Sequence, residues 1–343
     1  ILDQILSLET ENEVIEFKEK KGIPITFKGH YYGRFGESTT PLGIEKIERI
    51  RKQSAYIDWS IKTIADATIN DLDELAILKA KVNYQSKNPR LFEEIKNWDN
   101  KTFLQKTQLI IDNKITNTAI LLLGKSSAAH FISPAIAHIT WILKDKNNTE
   151  KDYQHFSCPF IITIDEILAK IRILKYRFFK KNSLFTEEVD TYNVQDIREA
   201  ISNCIAHQDY TLASRINIVE FEDNKLMFIN AGQFLPGDIN NVLFTEDPPL
   251  VYRNNFLVQT MFKFNMIDTI GSGIKRIFYN QLKKYFPMPD YDISNNIVKM
   301  TIAGKIMNEN YTEILMNNPD LKIEEIIILD KVQKKLPILD SEA

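Results

Sequence analysis

Glycine is scarce in this chain: its 343 residues include only 11 glycines, whereas average usage of about 7% would give roughly 24. Loops that bind phosphate are rich in glycine because their backbone must approach the ligand closely. A chain with so few glycines has little room for several such loops. If the protein binds a nucleotide, we expect its glycines to be clustered.

Long apolar runs, cysteine pairs and an excess of one charge are also missing. No apolar run reaches the roughly 18–20 residues of a membrane helix, and no signal-like segment opens the chain. Cys158 and Cys204 lack the spacing of metal ligands, which favours a reducing compartment without structural zinc. The 43 Lys and Arg nearly balance the 46 Asp and Glu, so any attraction to nucleic acid must come from local basic patches. We therefore expect a soluble, cytoplasmic protein with no membrane partner.

The order of helical and strand-like segments indicates an α+β fold with several domains. Apolar periodicity predicts short helices over 71–84, 92–98 and 102–109, followed by a hairpin over 110–115. This order resembles a winged helix, either a nucleic-acid reader or a connector, and we favour the connector. The apolar segment 119–123 predicts a buried strand, and Thr163-Ile-Asp-Glu166 predicts a capped helix that runs to residue 181. After residue 193 helices are mixed with antiparallel hairpins, as in α+β folds.

Gly124-Lys125-Ser126 has the sequence that ends a phosphate-binding P-loop. That motif requires a glycine five positions before its Gly-Lys pair. Here residue 119 is alanine, and residues 120–123 are apolar. We therefore exclude a P-loop.

A more informative pattern lies in the predicted helix that ends at His207. Glu199, Asn203 and His207 recur every four residues, which places them on one helix face, away from the apolar stripe. A carboxylate and an amide one turn apart can orient a hydrated Mg²⁺ and a water. By spacing alone, an ordinary exposed polar face is the favoured interpretation. Two glycine sites follow, Gly232 and Gly271-Ser-Gly273, in loops where backbone could approach a ligand.

Three segments together carry a resemblance to a known family. They are Arg198-Glu-Ala-Ile-Ser-Asn-Cys-Ile-Ala-His-Gln-Asp-Tyr210, Phe228-Ile-Asn-Ala-Gly-Gln-Phe-Leu-Pro236 and Ile270-Gly-Ser-Gly-Ile-Lys-Arg-Ile277. In this order they resemble the motif blocks of the divergent GHKL-type ATP-binding domain, found in bacterial proteins labelled RecG-like helicases or predicted transcriptional regulators. The resemblance covers about residues 100–305 and implies ATP and Mg²⁺ as cofactors.

The resemblance also implies roles for the matching residues. Glu199 would be the catalytic carboxylate that positions a water or Mg²⁺, and Asn203 would bind Mg²⁺ and phosphate. Asn230 and Gly232 would line the adenine pocket. Many GHKL ATPases carry an aspartate where this chain has Asn230, so the resemblance leaves base selectivity open.

The remaining matches lie in the last block and at the end of the first. Gly271 and Gly273 would let the backbone close on the phosphates. His207 and Asp209 match the motif as well, and for these two we expect a structural role. Residues 326–337 are similar to the segment that leads into a C-terminal winged helix in these proteins.

The N-terminal segment carries a second resemblance, to the Schlafen AlbA-like domain. It rests on Glu11-Asn-Glu-Val-Ile-Glu16-Phe-Lys18 and on residues 27–38. In nuclease members two glutamates at this spacing help to hold a divalent metal, which implies that role for Glu11 and Glu16. Ordinary surface carboxylates are an equally weighted alternative. The glycine-rich middle of that domain is absent after Lys18, and the chain starts at Ile1, so we expect a stretch to be missing here.

These patterns predict four parts: an AlbA-like domain over 1–60, a helical linker over 61–125, a GHKL-type ATP-binding domain over 126–305 and the start of a winged-helix module over 306–343. The leading hypothesis is a homo-oligomeric ATP-binding transcriptional regulator that acts on DNA or RNA and switches conformation with Mg-ATP. Whether it hydrolyses ATP stays open. The alternatives are a metal-dependent nuclease of an antiviral defence system, with catalytic Glu11 and Glu16, and a scaffold without catalysis.

Overall fold

A computed structural model describes residues 26–27, 30–35, 38–44, 46–47, 58–179, 186–244, 252–267 and 273–336. Contacts within the chain divide it into two compact units, Ile1–Ile57 and Asp58–Ala343. In the first unit, three strands form an antiparallel sheet: β1 (Thr26–Phe27), β2 (His30–Phe35) and β3 (Ser38–Pro41). The predicted borders at residues 60, 125 and 305 stay predictions.

The second unit begins with short helices around a small antiparallel sheet. Its elements are β4 (Thr63–Ile64), α1 (Glu74–Lys87), α2 (Phe92–Lys96), α3 (Asn100–Lys106), β5 (Ile110–Ile111), β6 (Lys114–Thr116) and α4 (Asn117–Leu123). The three helices and the β5–β6 hairpin confirm the predicted order, and β4 adds a third strand beside β6.

The predicted buried strand over 119–123 is wrong, because these residues form most of α4. The Thr116 side chain accepts a hydrogen bond from the Ala119 amide and starts the helix. All seven residues of α4 are buried. An apolar run that is covered on every side has no periodicity with which to tell a helix from a strand.

A six-stranded sheet forms the centre of the second unit. Its order is β13-β14-β12-β11-β7-β8, antiparallel throughout except for the parallel pair β7–β11. The strands from β7 onward are β7 (His138–Lys144), β8 (Glu150–Ser157), β9 (Lys175–Phe179), β10 (Thr186–Asp190), β11 (Ile216–Phe221), β12 (Lys225–Ala231), β13 (Asp290–Asp292) and β14 (Ile297–Ala303). Strands β9 and β10 pair as a separate hairpin.

Helices are packed around this sheet and against one another. They are α5 (Phe160–Lys170), α6 (Val194–His207), α7 (Ile239–Leu243), α8 (Asn255–Lys263), α9 (Gly273–Lys283), α10 (Glu309–Asn317) and α11 (Ile323–Gln333). The main core includes buried apolar residues of α6, such as Ile197, Ile201 and Ile205, together with Leu226 and Phe228 of β12. Helix α6 therefore packs its apolar stripe on the sheet, and its polar face points away from the sheet.

The helix predicted over 163–181 is correct only in part. Helix α5 begins at Phe160, before the predicted cap at Thr163, and it ends at Lys170, after which β9 follows. Long-range hydrogen bonds hold the intervening chain extended. The amide of Arg172 donates to Glu220 at 3.2 Å, and the amide of Leu174 donates to Thr191 Oγ1 at 3.0 Å. Such partners are distant in sequence, so local periodicity cannot reveal them.

Mixed helices and largely antiparallel sheets confirm the α+β fold class. Within the described ranges, no helix has both the length and the apolar character needed to cross a membrane.

Candidate functional site

The polar face of α6 carries the three residues that the sequence places in a line. Asn193 caps the helix by accepting a hydrogen bond from the Gln195 amide at 2.8 Å. Asn203 and His207 are half-buried, but Glu199 is only 6% exposed. A buried carboxylate needs a partner, because leaving it alone in the protein interior costs several kcal/mol, on the order of 3–5 when a partner is removed. The face is therefore not an ordinary exposed surface.

Helix α9 begins directly against the Glu199 carboxylate. A Cβ atom built on Gly273 would overlap Oε1, Cδ and Cγ of Glu199. Any other residue at position 273 must therefore displace either the helix or the carboxylate. The structure thus brings together two residues that the sequence resemblance assigned to different motif blocks.

Side chains from α9 compensate the buried charge on α6. Arg276 Nη2 lies 3.4 Å from Glu199 Oε2, and Arg276 Nε lies 3.8 Å from Asp196 Oδ1. The amide of Asn280 donates to both carboxylate oxygens of Asp196, at 2.9 and 3.1 Å. Burial raises the pKa of Asp196, while the Asn280 hydrogen bond and the Arg276 charge oppose that rise.

Sequence reasoning missed Asp196, Arg276 and Asn280. One signal was available: Arg276 and Asn280 are four residues apart and share a helix face, as Asp196 and Glu199 do at a spacing of three. The sequence shows that each pair shares a face, but not that the two faces meet.

The end of β12 supplies the second part of the site. Asn230 is buried, and its side-chain amide donates to the Ala231 carbonyl at 3.3 Å. Gly232 follows with a φ of +118°, a conformation that side chains other than glycine rarely adopt. The predicted adenine-pocket residues thus lie where the strand turns into a loop.

The motif after His207 ties α6 to this strand end. The buried Gln208 side chain accepts from the Ala231 amide at 2.8 Å, and the Asp209 amide donates to the Ala231 carbonyl at 2.8 Å. Asp209 also forms an ion pair with Arg253 at 3.0 Å, and Arg253 donates to the Gln233 carbonyl at 3.2 Å. Asp209 therefore has the structural role that the sequence predicts.

His207 has a different environment from its neighbours on the helix face. Its ring stacks on Tyr252, with centroids 5.6 Å apart and an interplanar angle of 28°. Burial, with a smaller contribution from the Arg253 charge, lowers the pKa of His207 to about 4. The imidazole is neutral at pH 7 and belongs to the packing of the site.

The structure thus unites Glu199 with Gly273, and joins the Asn230–Gly232 turn to the end of the helix that carries Asn203. Gly271, Glu11 and Glu16 lie outside the described residues, so their roles stay predictions. Across the ranges that are described, no group of three or more His, Cys, Asp or Glu side chains could hold a metal ion.

Two family models match parts of the chain. Residues 214–302 match the family described as putative ATP-dependent DNA helicase recG C-terminal, which supports an ATPase-like domain. This match includes Asn230, Gly232 and Gly273 but begins after Glu199 and Asn203. Residues 48–139 match a domain of unknown function. Neither match includes residues 11–38, which carry the AlbA-like resemblance, so that interpretation stays a prediction. No curated protein matches the chain.

Among solved structures, the chain is similar to the DIP2311 protein from Corynebacterium diphtheriae, with 15% identity and a TM-score of 0.59. The similarity covers 90% of this chain and 65% of that chain, so this chain spans less than two thirds of the solved relative. At this identity the likeness concerns the fold alone.

Replacing Gly273 tests the contact between α9 and Glu199. Gly273→Ala should lower the free energy of unfolding by about 1–3 kcal/mol, because an extra methyl group is forced into a packed site. Urea unfolding measures this change. In a Glu199→Ala background the same substitution should cost much less, since the obstructing atoms are gone. Gly43→Ala is the control, because its Cβ would meet no atom within 4 Å. Equal costs in both backgrounds would contradict the contact.

The lowered pKa of His207 predicts that the stability of the protein depends on pH. Because the pKa is lowered from its ordinary 6.5 to about 4, the unfolded chain binds this proton at a higher pH than the folded chain does. The free energy of unfolding should therefore fall as the pH drops from 6.5 towards 4. The difference between wild type and His207→Gln, followed by urea unfolding at each pH, isolates this contribution. Parallel profiles for the two proteins would rule out a lowered pKa of His207.

Proposed function

We propose that this protein binds ATP with Mg²⁺ at the junction of α6, the end of β12 and the start of α9, and that it acts as a nucleotide-dependent regulator on nucleic acid. The observation that carries the proposal is the contact between Gly273 and the buried Glu199 carboxylate. It brings the first and third motif blocks together, while Gln208 joins the second block to the same helix. The match of residues 214–302 to an ATPase-like family supports it.

The adenine end of the nucleotide is assigned to the turn at Asn230 and Gly232. The side-chain oxygen of Asn230 can accept a hydrogen bond from an amino group. Gly232 has no Cβ, and the Arg253 and Asp209 side chains lie 3.1–3.2 Å from the place that this atom would take. Asn230 offers no charge, unlike an aspartate, so discrimination between bases should be modest. The phosphates are assigned to the N-terminal end of α9, because the helix dipole favours anions there.

The oxygen donors on α6 fit an Mg²⁺ ion that arrives with the nucleotide. The Asn203 side chain is half-buried and makes no hydrogen bond within the part of the chain that the structure describes. It lies one turn after Glu199. Mg²⁺ commonly takes one or two protein oxygens and completes its shell with water and phosphate oxygens. When bound, the ion would neutralise phosphate charge; Asn203 would orient it, and Glu199 would hold a water.

Calorimetric titration with ATP tests this assignment. Wild type should bind ATP in the presence of Mg²⁺ and bind it more weakly in EDTA. Asn203→Ala should weaken Mg-ATP binding by about tenfold or more, equivalent to about 1.4 kcal/mol. Asn147→Ala, in an exposed turn between β7 and β8, should behave as wild type. The nucleotide site would be overturned if wild type showed no heat of binding, or if Asn203→Ala and Asn147→Ala bound Mg-ATP with equal affinity.

The proposed action on nucleic acid rests on the resemblance to RecG-like regulators and on the match of residues 214–302 to a family described as a putative DNA helicase. With nearly balanced overall charge, binding would depend on local basic groups and should weaken as salt rises. Fluorescence anisotropy with labelled DNA and RNA at about 50 and 200 mM salt tests this. The proposal fails if neither nucleic acid binds, or if binding is independent of salt.

A further inference from the structure

The C-terminal helices have their own hydrophobic cluster, separate from the main core. Tyr311 and Leu315 of α10 and Ile326 of α11 pack with Phe278 of α9 and with Met288. Phe278 also stacks on Tyr291, with centroids 6.3 Å apart and an interplanar angle of 14°. The position of α10 and α11 therefore depends on the position of α9.

A buried ion pair fixes α11 to the segment that follows α9. Lys334 is 7% exposed in its side chain and lies 2.6 Å from Asp330. The Met288 amide donates to Asp330 at 3.0 Å, and Lys334 donates to the Met288 carbonyl and to Asp290, each at 2.7 Å. The Lys334 charge and these hydrogen bonds offset only part of the desolvation, because burial still raises the pKa of Asp330. Helix α11 is thus bound to chain that continues directly from α9.

The C-terminal half of α9 is held to the sheet, and its N-terminal half is held to α6. The buried Gln281 amide donates to the Pro287 and Ala303 carbonyls, at 3.1 and 2.7 Å. Near the other end, Arg276 pairs with Glu199 and Asp196. Phe278 is two residues beyond Arg276 on the same short helix. A shift of the helix backbone at Arg276 therefore also shifts Phe278.

We infer that Arg276 is a positioning residue through which occupation of the candidate nucleotide site changes the docking of α10 and α11. The inference rests on the proposed nucleotide binding. Phosphate anions attract the Arg276 guanidinium, and an Mg²⁺ ion attracts the Glu199 carboxylate, so Mg-ATP competes for both partners of the existing ion pair. Loss of that pair frees the start of α9 and loosens the cluster around Phe278. By linkage, docking of the C-terminal helices must alter nucleotide affinity by the same factor.

Hydrogen exchange of the amides in 309–333 tests the inference. In wild type, saturating Mg-ATP should speed their exchange by about fivefold or more, within the usual range of coupling between sites. Arg276→Gln should exchange fast with or without nucleotide, whereas Arg276→Lys, which keeps the charge, should retain part of the response. Amides of α1 should not change in any variant, which separates this effect from general loss of stability.

Arg177→Gln is the matched control, because Arg177 is exposed and pairs with Glu188 at 2.6 Å on the separate β9–β10 hairpin. It should respond as wild type does. A reciprocal test uses Ile326→Ala, which weakens the cluster far from the site. It should change the Mg-ATP dissociation constant about fivefold or more in wild type and not in the Arg276→Gln background.

The outcomes separate the two proposals. If calorimetry shows Mg-ATP binding but exchange in 309–333 stays constant, or responds equally in Arg276→Gln, the role of Arg276 is wrong and nucleotide binding stands. If wild type shows no binding heat, the nucleotide site and this inference fall together.

Discussion

Two buried carboxylates on one helix impose the constraint on which this structure depends. Asp196 and Glu199 lie almost one turn apart on α6, both withdrawn from water. Placing two like charges there is costly unless positive charge and hydrogen bonds come from outside the helix. Both come from α9, through Arg276 and Asn280. This compensation fixes the position of α9 against α6. The need for glycine at 273 and the position of the C-terminal helices follow from it.

A second set of contacts, neutral rather than charged, positions the other half of the site. Gln208 and Asn254 hold the C-terminal end of α6: the Asn254 amide donates to the Ala206 and Gln208 carbonyls, at 3.0 and 2.9 Å. Gln208 in turn bonds the last residue of β12. Because these groups are buried, water does not compete for their hydrogen bonds, and these bonds fix the position of the end of α6 against β12. The residues after His207 thus hold the end of α6 to β12 and to Asn254.

The sequence predicted those features that local chemistry controls. The helix that the sequence predicts to end at His207, with an apolar stripe on one face, is confirmed by α6 and its buried residues. The apolar run at 119–123 was misassigned because complete burial removes periodicity. Glu199 and Asn203 were found by their spacing and the resemblance. Arg276 was not, because it is 77 residues from Glu199 in sequence and only tertiary packing makes them partners.

The strength of the Glu199–Arg276 pair matters for how the site could switch. Its 3.4 Å separation exceeds the roughly 2.7–2.9 Å of a strong charge-assisted hydrogen bond, and the Arg276 side chain is still 32% exposed. A ligand shifts an equilibrium only by the difference in its affinity for the two states. A short, fully buried pair would need more free energy to separate than nucleotide binding can supply. For a long, half-exposed pair, the free energies of the paired and the separated state of Arg276 and Glu199 differ by only a few kcal/mol, about 1–3, which is the usual coupling between two sites.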